Sequence, residues 1–128
     1  MSAGLADTSL FIARESGRRF DEAALPDELA VSVITVGELR AGVLAATDVN
    51  TRDRRLATLA QAMTLDPVPI DTAVAEAWAR FRVELAEAGL RMPVNDSWIA
   101  ATALALGVPV VTQDDDYVDV GDLAVIRV

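Results

Sequence analysis

The sequence predicts an α/β domain built around a parallel sheet. Short β-branched segments alternate along the chain with longer stretches of helical periodicity, the pattern of strand–helix–strand units. No internal repeat, low-complexity run or linker interrupts that alternation, so residues 1–128 read as a single domain. Hydrophobic residues make up 52% of the chain, against only 7 Gly and 5 Pro. That is enough apolar surface for one core and too little flexible sequence for a disordered chain.

The elements follow in order. Residues 3–6 make a weak first strand, because Ala3-Gly4-Leu5-Ala6 lacks a β-branched run. Asp7-Thr8-Ser9 then offers three N-cap residues for a helix over 10–15 that ends near Gly17. Residues 18–28 are polar, with one short helical turn at 23–26. Residues 29–34 read as a strand, 35–46 as a helix and 47–50 as a loop. A helix over 51–63 carries Leu56, Leu59, Ala60 and Met63 at helical spacing. Residues 65–70 contain Pro67 and Pro69 and fit a short edge strand. Asp71 or Thr72 caps the longest helix, which runs to Gly89 with Val74, Trp78, Phe81 and Leu85 as its buried stripe. Asn95 and Asp96 cap a helix that reaches Leu106 and closes at Gly107. A strand over 108–112, an acidic turn over 114–121 and a strand over 123–128 complete the chain.

Composition narrows the chemistry. The chain has no Cys and no His, and all 11 basic residues are Arg. Disulfides, thiolate metal sites, His-based nucleophile pairs, a Walker P-loop and Schiff-base chemistry are therefore excluded. An enzyme of this composition would work with clustered carboxylates around a hard cation such as Mg²⁺ or Mn²⁺. The net charge of −9 argues against a basic, duplex-gripping protein. The N-terminus shows no signal-peptide pattern, and the longest uncharged stretch, residues 97–113, is shorter than the ~20 apolar residues of a membrane span. The expectation is a cytoplasmic protein without membrane contact.

In parallel α/β sheets, ligands bind beyond the C-terminal strand ends where the strand order reverses. Asp7 follows the first strand, Glu38 lies one turn into the helix after the second, Asp96 opens the helix feeding the fourth, and Asp114 follows the fourth. If the first and fourth strands are neighbours, these four carboxylates converge. Each also has an ordinary structural role: Asp7 as an N-cap, Thr35-Val36-Gly37-Glu38 as a capping box, Asp96 as a helix start, Asp114 as part of a solvated turn. A bound cation explains why such a cluster of like charges is tolerated.

Four segments carry a resemblance to a known family. Ala6-Asp7-Thr8-Ser9, Thr35-Val36-Gly37-Glu38-Leu39-Arg40-Ala41-Gly42, Val94-Asn95-Asp96-Ser97-Trp98-Ile99-Ala100-Ala101-Thr102-Ala103 and Val111-Thr112-Gln113-Asp114-Asp115-Asp116-Tyr117 resemble PIN domains, and among them the VapC toxins of bacterial type II toxin–antitoxin pairs. The resemblance implies a five-stranded parallel sheet of order 3-2-1-4-5. It implies a Mg²⁺-dependent endoribonuclease, with Mn²⁺ able to substitute, that cuts single-stranded RNA to leave a 5′-phosphate and a 3′-hydroxyl. Partners implied are a VapB-type antitoxin and a second copy in a homodimer. The family's acidic positions fall on Asp7, Glu38, Asp96 and Asp114 as catalytic residues, and Asp7, Asp96, Asp114 and Asp116 as metal ligands. The acidic triplet leaves the fourth ligand open between Asp114 and Asp116, with Asp115 third.

Ser9, Asn95 and Thr112 are expected to orient ligands or phosphate, or else to cap and turn the chain. Trp98 offers a face for a base but equally suits a core. Arg14, Arg18, Arg19 and Arg40 line an RNA path or are scattered surface charge. An antitoxin Arg inserted among the carboxylates would suit the acidic pocket. Two other classes remain: a catalytically inactive PIN-like binding module, and another acidic-pocket phosphoryl-transfer domain such as a receiver, whose usual Lys this chain lacks.

Overall fold

Strand Ala3–Ala6 (β1) lies inside the sheet, paired on one side with Glu28–Val31 (β2) and on the other with Val110–Thr112 (β3). Val125–Arg127 (β4) pairs with β3, and every pairing is parallel, in the order β2-β1-β3-β4. The computed structural model describes residues 2–128. The helices are Thr8–Ser16 (α1), Val33–Ala45 (α2), Val49–Met63 (α3), Thr72–Glu87 (α4) and Val94–Leu106 (α5), with a 3₁₀ turn at Glu22–Ala24. None of these helices is long and apolar enough to cross a membrane.

The expected sheet of five strands in the order 3-2-1-4-5 is therefore corrected to four strands, among the described residues, in the order 2-1-3-4. The segment 65–70 contributes only an isolated parallel bridge between Val68 and Ser32. Val68 N–H donates to Val31 O at 2.8 Å and Val33 N–H donates to Val68 O at 3.0 Å. Pro67 and Pro69 on either side have no N–H with which to extend the ladder.

Alternation along the central strands divides the core into two faces. Leu5 and Val110 face α4 and α5, where they join Phe81, Leu85, Ile99, Ala103, Tyr117 and Leu123. Ala6 and Val111 face the other way and pack with Leu10 of α1. Burying a side chain such as Leu5 or Ile99 stabilises the fold by roughly 1.5–3 kcal/mol each, and both are fully buried. The glycine within β1 has a steric cause: a Cβ at Gly4 would lie 2.7 Å from Val111 Cγ2 and 3.0 Å from Pro26 Cγ. A small residue lets both neighbours close over the strand.

Several local expectations also shift. The second strand ends at Val31, not residue 34, because Ser32 Oγ accepts from Ile34 N–H at 3.0 Å and starts α2. Thr35 is thus interior to the helix, and the capping box with Glu38 does not form. Pro93 occupies the N-cap position of α5, placing Asn95 and Asp96 inside the first turn and not at the cap. In α3 the buried residues are Thr58, Leu59 and Ala62, whereas Leu56 and Met63 are exposed. α1, α3 and α4 are capped by Asp7, Asp48 and Asp71.

Candidate active site

The chain leaves β1 toward β2 and leaves β3 toward β4, so the order reverses between β1 and β3. The cleft at that reversal, of about 240 Å³, is lined by Asp7, Thr8, Ser9, Ile12, Arg18, Glu38, Asp96 and Asp114. Four carboxylates from four separate elements meet there.

Asp7 is 1% exposed and caps α1 through Oδ2, which accepts from Ser9 N–H at 3.3 Å. The same oxygen accepts from Thr112 Oγ1 at 2.9 Å, and Oδ1 accepts from Tyr117 OH at 2.8 Å. The cap and the site are thus served by one side chain. Thr112 Oγ1 spends its only proton on Asp7 and accepts from Asp114 N–H at 2.9 Å. Ser9 Oγ, 3.2 Å away, therefore donates to Thr112 while accepting from Gln113 N–H at 3.0 Å. Ser9 and Thr112 brace the junction of β1 and β3 from both sides.

Glu38 is reached from α1. Thr8 Oγ1 donates to Glu38 Oε1 at 2.8 Å, which leaves Thr35 Oγ1 to donate to Thr8 at 2.9 Å. This relay of two buried threonines explains the hydroxyls that the sequence suggested as caps. Neither Thr8 nor Thr35 stood out as a site residue, since each reads locally as helix-start chemistry.

Carboxylate oxygens of Asp96, Asp114 and Asp116 all lie within 4.8 Å of one another. Asp116 is brought to the cluster together with Asp114, whereas Asp115 is turned to Arg127, 3.7 Å away. Asn95 is exposed and hydrogen-bonds no member of the cluster among the described residues. Arg18 lies at the cleft, but Arg14 sits over the Phe20 ring, 5.8 Å from its centroid, away from the carboxylates. Trp98 is half-buried and stacks flat on Trp78, with ring centroids 4.2 Å apart. One face of its ring is taken by this structural partner.

Burial and like charge perturb the cluster. The Asp96 carboxyl is pushed up to about 7, chiefly by desolvation and then by the charges of Asp7, Asp114, Asp116 and Glu38. Asp114 is raised by desolvation and by Asp7 and Asp116, against a small opposing pull from Arg18. Burial, then the Asp7 charge, pushes the Tyr117 phenol well above its ordinary value, so it remains a proton donor. An all-oxygen donor set, crowded enough to resist ionisation, fits a hard divalent cation.

Against this geometry, the PIN domain family matches residues 5–123. The chain is 52% identical to Ribonuclease VapC5 of Mycobacterium tuberculosis over 116 residues, 91% of this chain and 86% of that protein. The chain belongs to the VapC family of PIN domains. It is 48% identical to Ribonuclease VapC4 of the same organism over 124 residues, covering 97% of this chain and 95% of the relative. In structure it is similar to a member of the VapBC family of toxin-antitoxin systems, VapBC-5 from Mycobacterium tuberculosis, with a TM-score of 0.91, 45% identity and 100% of both chains covered.

Proposed function

We propose that this VapC-family chain is the ribonuclease half of a toxin–antitoxin pair, a divalent-metal-dependent endoribonuclease acting on single-stranded RNA. The observation that carries this reading is the meeting of Asp7, Glu38, Asp96 and Asp114 in one cleft at the strand-order reversal. The names of its relatives, Ribonuclease VapC5 and Ribonuclease VapC4, support the same reading. Asp96, Asp114, Asp116 and the free position on Asp7 Oδ1 would hold Mg²⁺, or Mn²⁺ in its place. Bound there, the cation supplies Lewis-acid polarisation of the phosphate and a lowered pKa for the attacking water.

The chain's own residues do the rest. Asp96 and Asp114, crowded against Asp116, are placed to hold the cation rather than to take a proton. Glu38, kept in place by Thr8, faces the same cleft as an acceptor. Arg18 at the cleft offers a guanidinium to an RNA phosphate and locally offsets the net charge of −9. The acidic cleft also suits a basic side chain from a VapB-type antitoxin, in a cytoplasmic complex of homodimeric toxin.

Cleavage of a single-stranded RNA by the purified chain tests the reading. Cleavage should require Mg²⁺ or Mn²⁺, stop in chelator and fail in Asp7→Asn. Full cleavage by Asp7→Asn, or in excess chelator with contaminating nucleases removed, would refute it.

A further inference from the structure

Tyr117 is the one tyrosine of the chain, it is fully buried, and its hydroxyl ends on a carboxylate. Its ring packs with Phe81, Ile99, Val110 and Leu123, where a phenylalanine would fill the same space. The hydroxyl therefore needs a reason of its own, because a buried hydroxyl is costly unless it is hydrogen-bonded. The bond it makes is to Asp7 Oδ1.

The lone pairs of Asp7 give that bond a consequence. A carboxylate has about four acceptor positions, two on each oxygen. Thr112 Oγ1 and Ser9 N–H occupy both on Oδ2, and Tyr117 OH occupies one on Oδ1. One position remains, on Oδ1. We infer that Tyr117 is a positioning residue for the cation: its hydroxyl confines Asp7 to a single monodentate contact of fixed direction, which favours a small octahedral ion over Ca²⁺. The ring is held by the core around it, and Arg127 of β4 fixes the backbone behind it by donating to the Tyr117 carbonyl at 2.5 Å. Mg²⁺ demands near-ideal octahedral geometry, whereas Ca²⁺ tolerates irregular and bidentate carboxylates. Loosening Asp7 therefore harms Mg²⁺ more than Ca²⁺. The inference rests on the metal reading of the cleft.

Calorimetric titration of the full chain with Mg²⁺ and with Ca²⁺, without RNA, tests it. Tyr117→Phe should weaken Mg²⁺ binding by about 10- to 100-fold, the usual effect of losing a group that orients a ligand, and Ca²⁺ binding distinctly less. Equal weakening for both ions, or none, in a folded variant overturns the inference. A second measurement needs no substitution. With ¹³Cζ-labelled tyrosine the native chain gives a single resonance, which should move on Mg²⁺ addition with the midpoint found by calorimetry. A resonance that stays fixed at saturating Mg²⁺ also overturns it. If the native chain binds no Mg²⁺, the metal reading itself fails and takes the inference with it.

Discussion

Replacing Asp96 by Asn should stabilise the metal-free protein while damaging its site. The Asp96 carboxyl stands at about 7 against an ordinary 3.8. At about 1.4 kcal/mol per pH unit, that gap corresponds to about 4 kcal/mol of penalty on the ionised form. The side chain is only half-buried, so solvent screening brings this to about 2 kcal/mol. Asp96 also sits in the first turn of α5, where a negative charge gains about 0.5 kcal/mol from the helix dipole. The repulsive effect wins, and Asp96→Asn should gain about 1.5 kcal/mol at pH 8, raising Tm by roughly 5 °C. The sign follows from proton binding. A raised carboxyl pKa means the folded state holds more protons than the unfolded state between pH 3.8 and about 7. Native stability therefore falls as pH rises through that window, while the Asn variant does not titrate there at position 96. The Tm gap should be absent near pH 3.5, grow to pH 7 and then level off. Mg²⁺ at 100 times its dissociation constant should restore about 2.7 kcal/mol to the native chain and less to the variant. Thermal unfolding across pH in chelator, repeated in Mg²⁺, measures all of this. A variant that melts at or below the native chain at pH 8, or a gap independent of pH, would refute the reasoning.

Other substitutions separate chemistry from structure. Glu38→Gln keeps an oxygen for Thr8 to donate to, so it should melt with the native chain yet lose RNA cleavage by about 10²-fold or more. Asp116→Asn should weaken Mg²⁺ binding by calorimetry, whereas Asp115→Asn, turned toward Arg127, should leave it within error. Gly4→Ala should cost about 1–3 kcal/mol in urea unfolding, because its methyl group meets Val111 and Pro26; an unchanged midpoint would mean the strand can shift.

The positions of Asp7 and Asp114 were legible because a strand end and its following turn can be read from local pattern, and the sheet's parallel order then brings them together. Glu38 was placed at the cleft by its position one turn into the helix after the second strand, and its rival reading as a capping box with Thr35 fails in the structure. Its helix begins at Ser32, so the hydroxyl of Thr35 serves Thr8 across the cleft and not its own backbone. Tyr117 closes the fourth family-like segment, but nothing local marked its hydroxyl as part of the site. It follows the acidic triplet in an irregular loop, and its partner is 110 residues away. The α3 stripe failed for a related reason: periodicity shows which residues share a face, not which face meets the core. Pro67 and Pro69 marked an edge segment correctly, and the ladder there is shorter than a strand.

That truncated segment has a bearing on how the molecule behaves among other copies. A sheet edge with free N–H and C=O groups is a template on which a second chain can add a strand. Here Val68 covers only the C-terminal end of the outer edge of β2, and the prolines beside it have no N–H with which to extend the pairing. At the other end β4 has three residues, one of them Arg127, and the carbonyl of Val128 is taken by Asp21 N–H at 2.9 Å. Neither end offers a long ladder for another chain to lengthen. Short, interrupted edges of this kind disfavour edge-to-edge pairing in a chain that is 52% hydrophobic.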